Sequence, residues 1–442
     1  MLADSLGQPV TLDHPESLGA LNDFVEGFLR SQARVANVLQ LAETDHSAMA
    51  QAACAALHMF AESREGPVNA RPFIQRALAA SPRATRREQQ WVAAVAAWVD
   101  GDLERAIVLH EAQASEFPRD LISLKLGLYH LFNLGRSPDM VRMARQALPQ
   151  AADVAELHGM LAFAWEQCHR LRDAEHCARH AISMRPSEPW AHHALAHVML
   201  TEGRMREGHA FMSAMSPHWV GLNSFMETHN WWHQALFCLE LGDPAQALQL
   251  YDQRVWGVVK GYSQDQINAV SLLARLELAG ADVGDRWHDV ATHLAVRVRD
   301  QVLPFLDLQY LYGLARAGRP EADALLDAIV AHAAQATEPQ RAAWQQVAVP
   351  AAQALLAHAR GAWPQAVAGL EAALPRLVAI GGSHAQRDLF AQIHIDALRR
   401  SGELRGAQHL LRQAANSQIE SQRLARLARA VEDQLGLPGE GA

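Results

Sequence analysis

Four consecutive stretches of this chain follow one another at a spacing of 34 residues, starting at Arg87, Leu121, Ala155 and Pro189. The first, "REQQWVAAVAAWVDGDLERAIVLHEAQASEFP", reads as a helix, a turn at Asp100-Gly101-Asp102, a second helix and a stop at Pro118. The third, "AELHGMLAFAWEQCHRLRDAEHCARHAISMRP", has the same plan and stops at Pro186. Small residues stand where two antiparallel helices must cross closely, and proline ends the second helix. A unit of this size cannot bury its apolar face alone, so the period demands a stack.

In the third unit Leu161, Ala162, Trp165, Ala174, Ala178, Ala181 and Pro186 fall in the slots that a tetratricopeptide repeat reserves for packing. Beyond the fourth unit the spacing widens. Turn glycines at Gly242, Gly280, Gly318, Gly361 and Gly402 place further starts near Thr228, Gln266, Pro304, Val347 and Asp388, with "SPHWVGLNSFMETH" as an inserted loop. The expected fold is an all-α, tetratricopeptide-type solenoid, curled into a right-handed superhelix. Its parts are a helical capping segment over 1–86, regular hairpins over 87–222, and longer, irregular hairpins over 223–442 that close the superhelix.

Composition narrows the function. The formal charge of −9 and the near absence of lysine argue against a nucleic-acid partner, which needs a basic face. Cys54, Cys168, Cys177 and Cys238 lack any metal-type spacing and read as small apolar residues in a reducing compartment. The start of the chain lacks a basic region followed by an apolar stretch, and no segment approaches 18 apolar residues, so a cytoplasmic protein with no membrane contact is expected. No phosphate loop or nucleophile elbow is present, and no cofactor is expected.

In tetratricopeptide repeats the first helix of each hairpin lines the concave wall. Applied to these starts, that rule puts Glu88, Trp98, Lys125, Tyr129, Glu156, Glu166, Trp190, His193 and His197 on the wall, followed by His229 and Trp232. "PWAHHALAH" and "ETHNWWH" then supply two histidine pairs at i and i+4, His193 with His197 and His229 with His233, on neighbouring inner helices. Such spacing puts both rings on one face. The ligand-binding set is Tyr129, Glu166, Trp190, His193, His197, His229, Asn230, Trp232, His233 and Arg387. The plainer alternative is partly buried rings bonded to backbone carbonyls. Four imidazoles also offer a divalent-metal site, with zinc as an example, although "HHALAH" lacks the glutamate of a His-Glu-x-x-His protease. A second constellation, "IGGSHAQRDLF", holds Ser383, His384, Arg387 and Asp388 behind two glycines; its plain reading is a capped helix with Arg387 paired to a carboxylate.

The segments "AHHALAHVMLTEGRMREG", "THNWWHQALFCLELGDPAQALQLYD", "SLLARLELAG", "FLDLQYLYGLARAGR" and "GGSHAQRDLF", in that order, resemble the tetratricopeptide repeat protein 38 family. That resemblance marks His197, His229, Asn230, His233, His384, Gln386, Arg387 and Asp388 as the distinctive positions. Ala274 stands where the family tends to have tryptophan, and Gln309 where histidine is common, so ligand identity does not carry over. The resemblance implies the fold and the important residues, and little about chemistry.

The leading expectation is a protein that binds a small molecule or short peptide in a His/Trp-lined concave pocket. The rival is a hydrolase or lyase in which His197, His229, His233, His384 and Asp388 carry out acid-base or metal-assisted chemistry. A scaffold for protein partners is the weaker third, and assembly into a homo-oligomer is compatible with each.

Overall fold

In the computed structural model, which describes residues 2–437, helices account for nearly all regular structure. The exception is a short antiparallel pair, Leu2–Ala3 with Pro9–Val10, in which Leu2 faces Val10. The four 34-residue units form helical hairpins: Arg86–Val99 with Leu103–Glu116, Leu121–Asn133 with Ser137–Ala151, Ala155–Gln167 with Leu171–Met184, and Pro189–Thr201 with Met205–Met215. The chain is an all-α stack of tetratricopeptide-type hairpins.

Local chemistry sets the boundaries. Thr85 and Glu88 form a reciprocal capping box at the first hairpin, and Asp120 caps the second while pairing with the buried Arg87 at 2.9 Å. Gly203 takes a left-handed turn at φ +74°, and a Cβ there would lie 2.6 Å from the Ser417 carbonyl oxygen, so no other residue fits. The third hairpin makes the corresponding turn with His169 at φ +54°. Ala162, Ala174, Ala178 and Ala181 are fully buried where the paired helices cross.

The structure adds three elements to the sequence reading. Ala48–Met59 and Glu65–Ala80 are a packed helical hairpin set against Arg86–Val99, although their residues match the repeat pattern poorly. The last hairpin starts at His384 rather than Asp388, because Ser383 and Gln386 form a capping box four residues earlier. A further helix, Gln422–Gln434, capped by Ser421, follows the last hairpin. The wider spacing after the fourth unit comes partly from π-helical turns at Tyr251–Val255 and Trp344–Ala348. The inserted segment is largely helical, with a 3-10 turn at Ser216–Trp219 and the helix Ser224–Glu240.

Contacts divide the chain into two compact units, Met1–Leu195 with His218–Met226, and Ala196–Pro217 with Glu227–Ala442. Trp91 and Phe24 are among the largest fully buried side chains of the first; Trp232, Trp344, Tyr310 and Phe390 share one core in the second. Among the described residues, no helix is long and apolar enough to cross a membrane.

Candidate functional site

In the second unit His197, His229 and His233 converge, each at most 2 % exposed. The first comes from the Pro189–Thr201 helix and the other two from Ser224–Glu240. One ring nitrogen of each lies within 4.8 Å of the others. The ring centres of His197 and His233 are 4.5 Å apart, and those of His229 and His233 4.9 Å apart. His193 leaves the same face of its helix one turn before His197.

A polar chain orients one of these rings. His229 Nδ1 is 2.9 Å from Asn268 Oδ1; Asn268 Nδ2 donates to Thr228 Oγ1 at 3.2 Å, and that hydroxyl donates to Asp265 Oδ1 at 3.2 Å. An ionised carboxylate can only accept, so the directions run one way, and the Asn268 oxygen accepts a hydrogen bond from His229 Nδ1–H. Nε2 is left as the basic nitrogen of His229, the form in which an imidazole ligates a metal or takes a proton. Asn230, three residues before His233, is fully buried, and its amide nitrogen and oxygen find no hydrogen-bond partner among the described protein groups. A buried amide in that condition is unusual in a structure with nothing else to bind.

Burial pulls His229 down to about 3, the Asn268 bond opposing and the neighbouring His197 adding to the effect. The folded protein therefore refuses a proton that the unfolded chain takes below about pH 6.5. That stability is whole above this value and is lost as pH falls toward 3. Between pH 7 and pH 5 each such imidazole costs about 2 kcal/mol. His110, held at about 3, and His192, at about 4, act in the same direction in the first unit. The urea midpoint should fall steadily over this range; a flat profile would contradict neutral buried rings.

The far sequence block reaches this site through one buried side chain. Arg275, 2 % exposed, lies with its guanidinium 5.3 Å from the centre of the Trp232 ring, donates to the Ala385 carbonyl at 2.6 Å and sits 3.9 Å from Asp388. Burial pulls its proton affinity down to about 10, with Asp388 opposing. Trp232 in turn stacks on His229, ring centres 5.1 Å apart. Ser383 caps its helix as the plain reading held. Arg387 donates to the Gly381 and Gly382 carbonyls and contacts His384 Nδ1 at 3.3 Å. Gly382, at φ +76°, has the Phe305 ring 2.8 Å from where a Cβ would stand. Ala274 and Gln309 are both buried.

Asn268, Thr228, Asp265 and Arg275 are the positions missed as functional. For Asp265, Asn268 and Arg275 the signal was present in "SQDQINAVSLLAR", where polar groups recur within a stretch that is buried at every position but Gln264; Thr228 lies outside it. A helix hydrophobic on every side has no reason to carry them.

In the first unit, residues expected to line the wall for a ligand are held by the chain's own N-terminal segment. Glu88 accepts from the Thr11 amide at 2.7 Å, and Lys125 Nζ donates to the Phe28 and Leu29 carbonyls at 2.6 and 2.9 Å. Glu156 pairs with Arg30 at 2.6 Å, and Trp190 Nε1 donates to Ser31 Oγ at 3.0 Å. Tyr129 donates to Glu62 at 2.8 Å, and Glu166 is buried against the Gln167 amide. Trp190 also packs edge-on to His193, centres 5.4 Å apart. Residues 11–31 thus lie along these first helices as a bound peptide would.

Fold and site define a tetratricopeptide-type repeat protein with a buried imidazole cluster. No protein-family profile matches the chain. Among solved structures, the human IFIT1 dimer with m7Gppp-AAAA is 12% identical over 96% of both chains, at a TM-score of 0.45. The human IFIT1 dimer with PPP-AAAA is 12% identical over 98% of both, at 0.43. Naa15/Naa10 bound to HypK-THB is 11% identical over 95% of this chain and 66% of that chain, at 0.26.

Proposed function

We propose that the protein binds a small molecule at a metal centre held by His197, His229 and His233, and acts on it as a metal-dependent hydrolase or lyase. The observation that supports this reading best is the convergence of three buried imidazoles, one of them oriented by Asn268, Thr228 and Asp265. Neutral imidazole is a common ligand of zinc and of other divalent transition metals. When bound, such an ion would polarise a substrate oxygen and lower the pKa of a water. Around it, this chain's groups exclude bulk solvent, and the orphaned Asn230 amide hydrogen-bonds a polar substrate group. Membership of the tetratricopeptide repeat protein 38 family belongs to the same proposal. It rests on "THNWWH" and "GGSHAQRD", the two blocks that meet through Arg275.

The orienting chain supplies a graded test. Asn268→Leu removes the acceptor from His229 without touching a ligand, and should weaken zinc affinity about 10- to 100-fold in a chelator-competition titration. Asn268→Asp, which keeps an acceptor, should recover most of it. Equal affinities in all three proteins would refute the site.

A further inference from the structure

The second unit also carries a half-open cavity of about 550 Å³ that none of the three imidazoles lines. Its walls are the helices His384–Ser401, Leu404–Ser417 and Gln422–Gln434, together with the turns that follow Ser224–Glu240 and Ser263–Leu278. That volume suits a small molecule. Leu278, Leu374, Ile395 and Leu427 make the wall largely apolar.

Charge on that wall is unbalanced. Arg399 and Arg400 share the Asp396 carboxylate at 2.9 and 2.7 Å, and His358 shares it too at 3.1 Å. Arg423 is paired with Glu240 at 2.8 Å, and Asp388 has Arg275 at 3.9 Å. Arg426 lines the cavity with no carboxylate within ion-pair distance among the described residues. On the wall itself three guanidiniums, those of Arg399, Arg423 and Arg426, face two carboxylates, those of Asp388 and Asp396, in a chain whose net charge is −9. Gln392, a lining side chain more than nine-tenths buried, keeps its Oε1 without a hydrogen-bond partner among the described protein groups, and the buried His394 has its Nε2 3.9 Å from Glu371, beyond hydrogen-bond distance. An apolar pocket with a few convergent polar groups and a surplus of guanidinium is suited to an amphipathic anion.

We propose that this cavity binds a small amphipathic organic acid, with its hydrocarbon body on the leucine wall and its carboxylate toward Arg399 and Arg426. Isothermal titration of the full chain with decanoate tests it, with decyltrimethylammonium as the charge-reversed probe. Decanoate should bind saturably at one site per chain and the cation should not. Arg426→Gln, at an exposed position where folding is undisturbed, should weaken binding about tenfold. Ala414→Trp, which fills the cavity, should abolish it. Absence of saturable decanoate binding, equal binding of the cation, or undiminished binding in Arg426→Gln would each overturn the proposal. The imidazole site stands or falls separately, on its metal content.

Discussion

Untagged protein purified without chelator is expected to carry about one equivalent of a divalent transition metal per chain, and His233→Ala less than a tenth of that. His233 packs against both others, with ring centres 4.5 Å from His197 and 4.9 Å from His229, so its loss removes a central donor of the cluster. Imidazole ligates in its neutral form, and burial already holds His229 there. Retention should therefore persist to lower pH than for a solvent-exposed histidine cluster. Elemental analysis of both proteins, with circular dichroism to confirm that the variant folds, decides the matter. Metal in equal amount in both, or in neither, would remove the three-imidazole centre and with it the hydrolase or lyase reading.

The second large effect is expected in the first unit. Glu156→Gln should lower the stability of the docked N-terminal segment by about 2–3 kcal/mol. The Glu156 carboxylate is 3 % exposed and stands between Arg30 at 2.6 Å and Arg185 at 3.3 Å. A neutral amide in its place leaves the two guanidiniums close together, with Glu26, 2.9 Å from Arg30, as the remaining counter-charge on that side. Arg30 keeps about a quarter of its exposure, so the cost falls at the lower end of what breaking a buried pair brings. The reading is local: hydrogen exchange at residues 28–35 should quicken about 100-fold, while the core helix Ala155–Gln167 changes less. Glu338→Gln, in an exposed pair with Arg341 at 3.8 Å, is the control and should change nothing. Unaltered protection at residues 28–35 in Glu156→Gln would show that the segment is held by something other than this carboxylate.

The repeat architecture was legible in the sequence because turn glycines and packing alanines are local requirements that the code repeats. Ala162, Ala174, Ala178 and Ala181 are readable as such, and all are fully buried. Ala48–Met59 and Glu65–Ala80 escaped because an alanine-rich hairpin can pack on its neighbour without the large residues that make a repeat conspicuous. The histidine pairs were legible from their i, i+4 spacing. Asn268 and Arg275 were not, because their roles depend on which helix packs beside Ser224–Glu240, and no local pattern encodes that. The use of Lys125, Glu156 and Trp190 by the N-terminal segment was hidden for the same reason: a groove and its occupant carry no mark of each other when they are 97, 126 and 159 residues apart.

Those separations have a consequence for synthesis. Ser31 leaves the ribosome 159 residues before Trp190, the residue whose indole binds its hydroxyl. At the usual pace of translation that is an interval of roughly 8–30 s. Until Lys125 follows, 97 residues after Phe28, the Phe28 and Leu29 carbonyls lack the ammonium that binds them in the folded unit. This segment emerges before the helices of the first unit that hold it and is among the last parts of that unit to settle. A nascent chain of this kind gives chaperones a long period of access to one short, hydrophobic stretch.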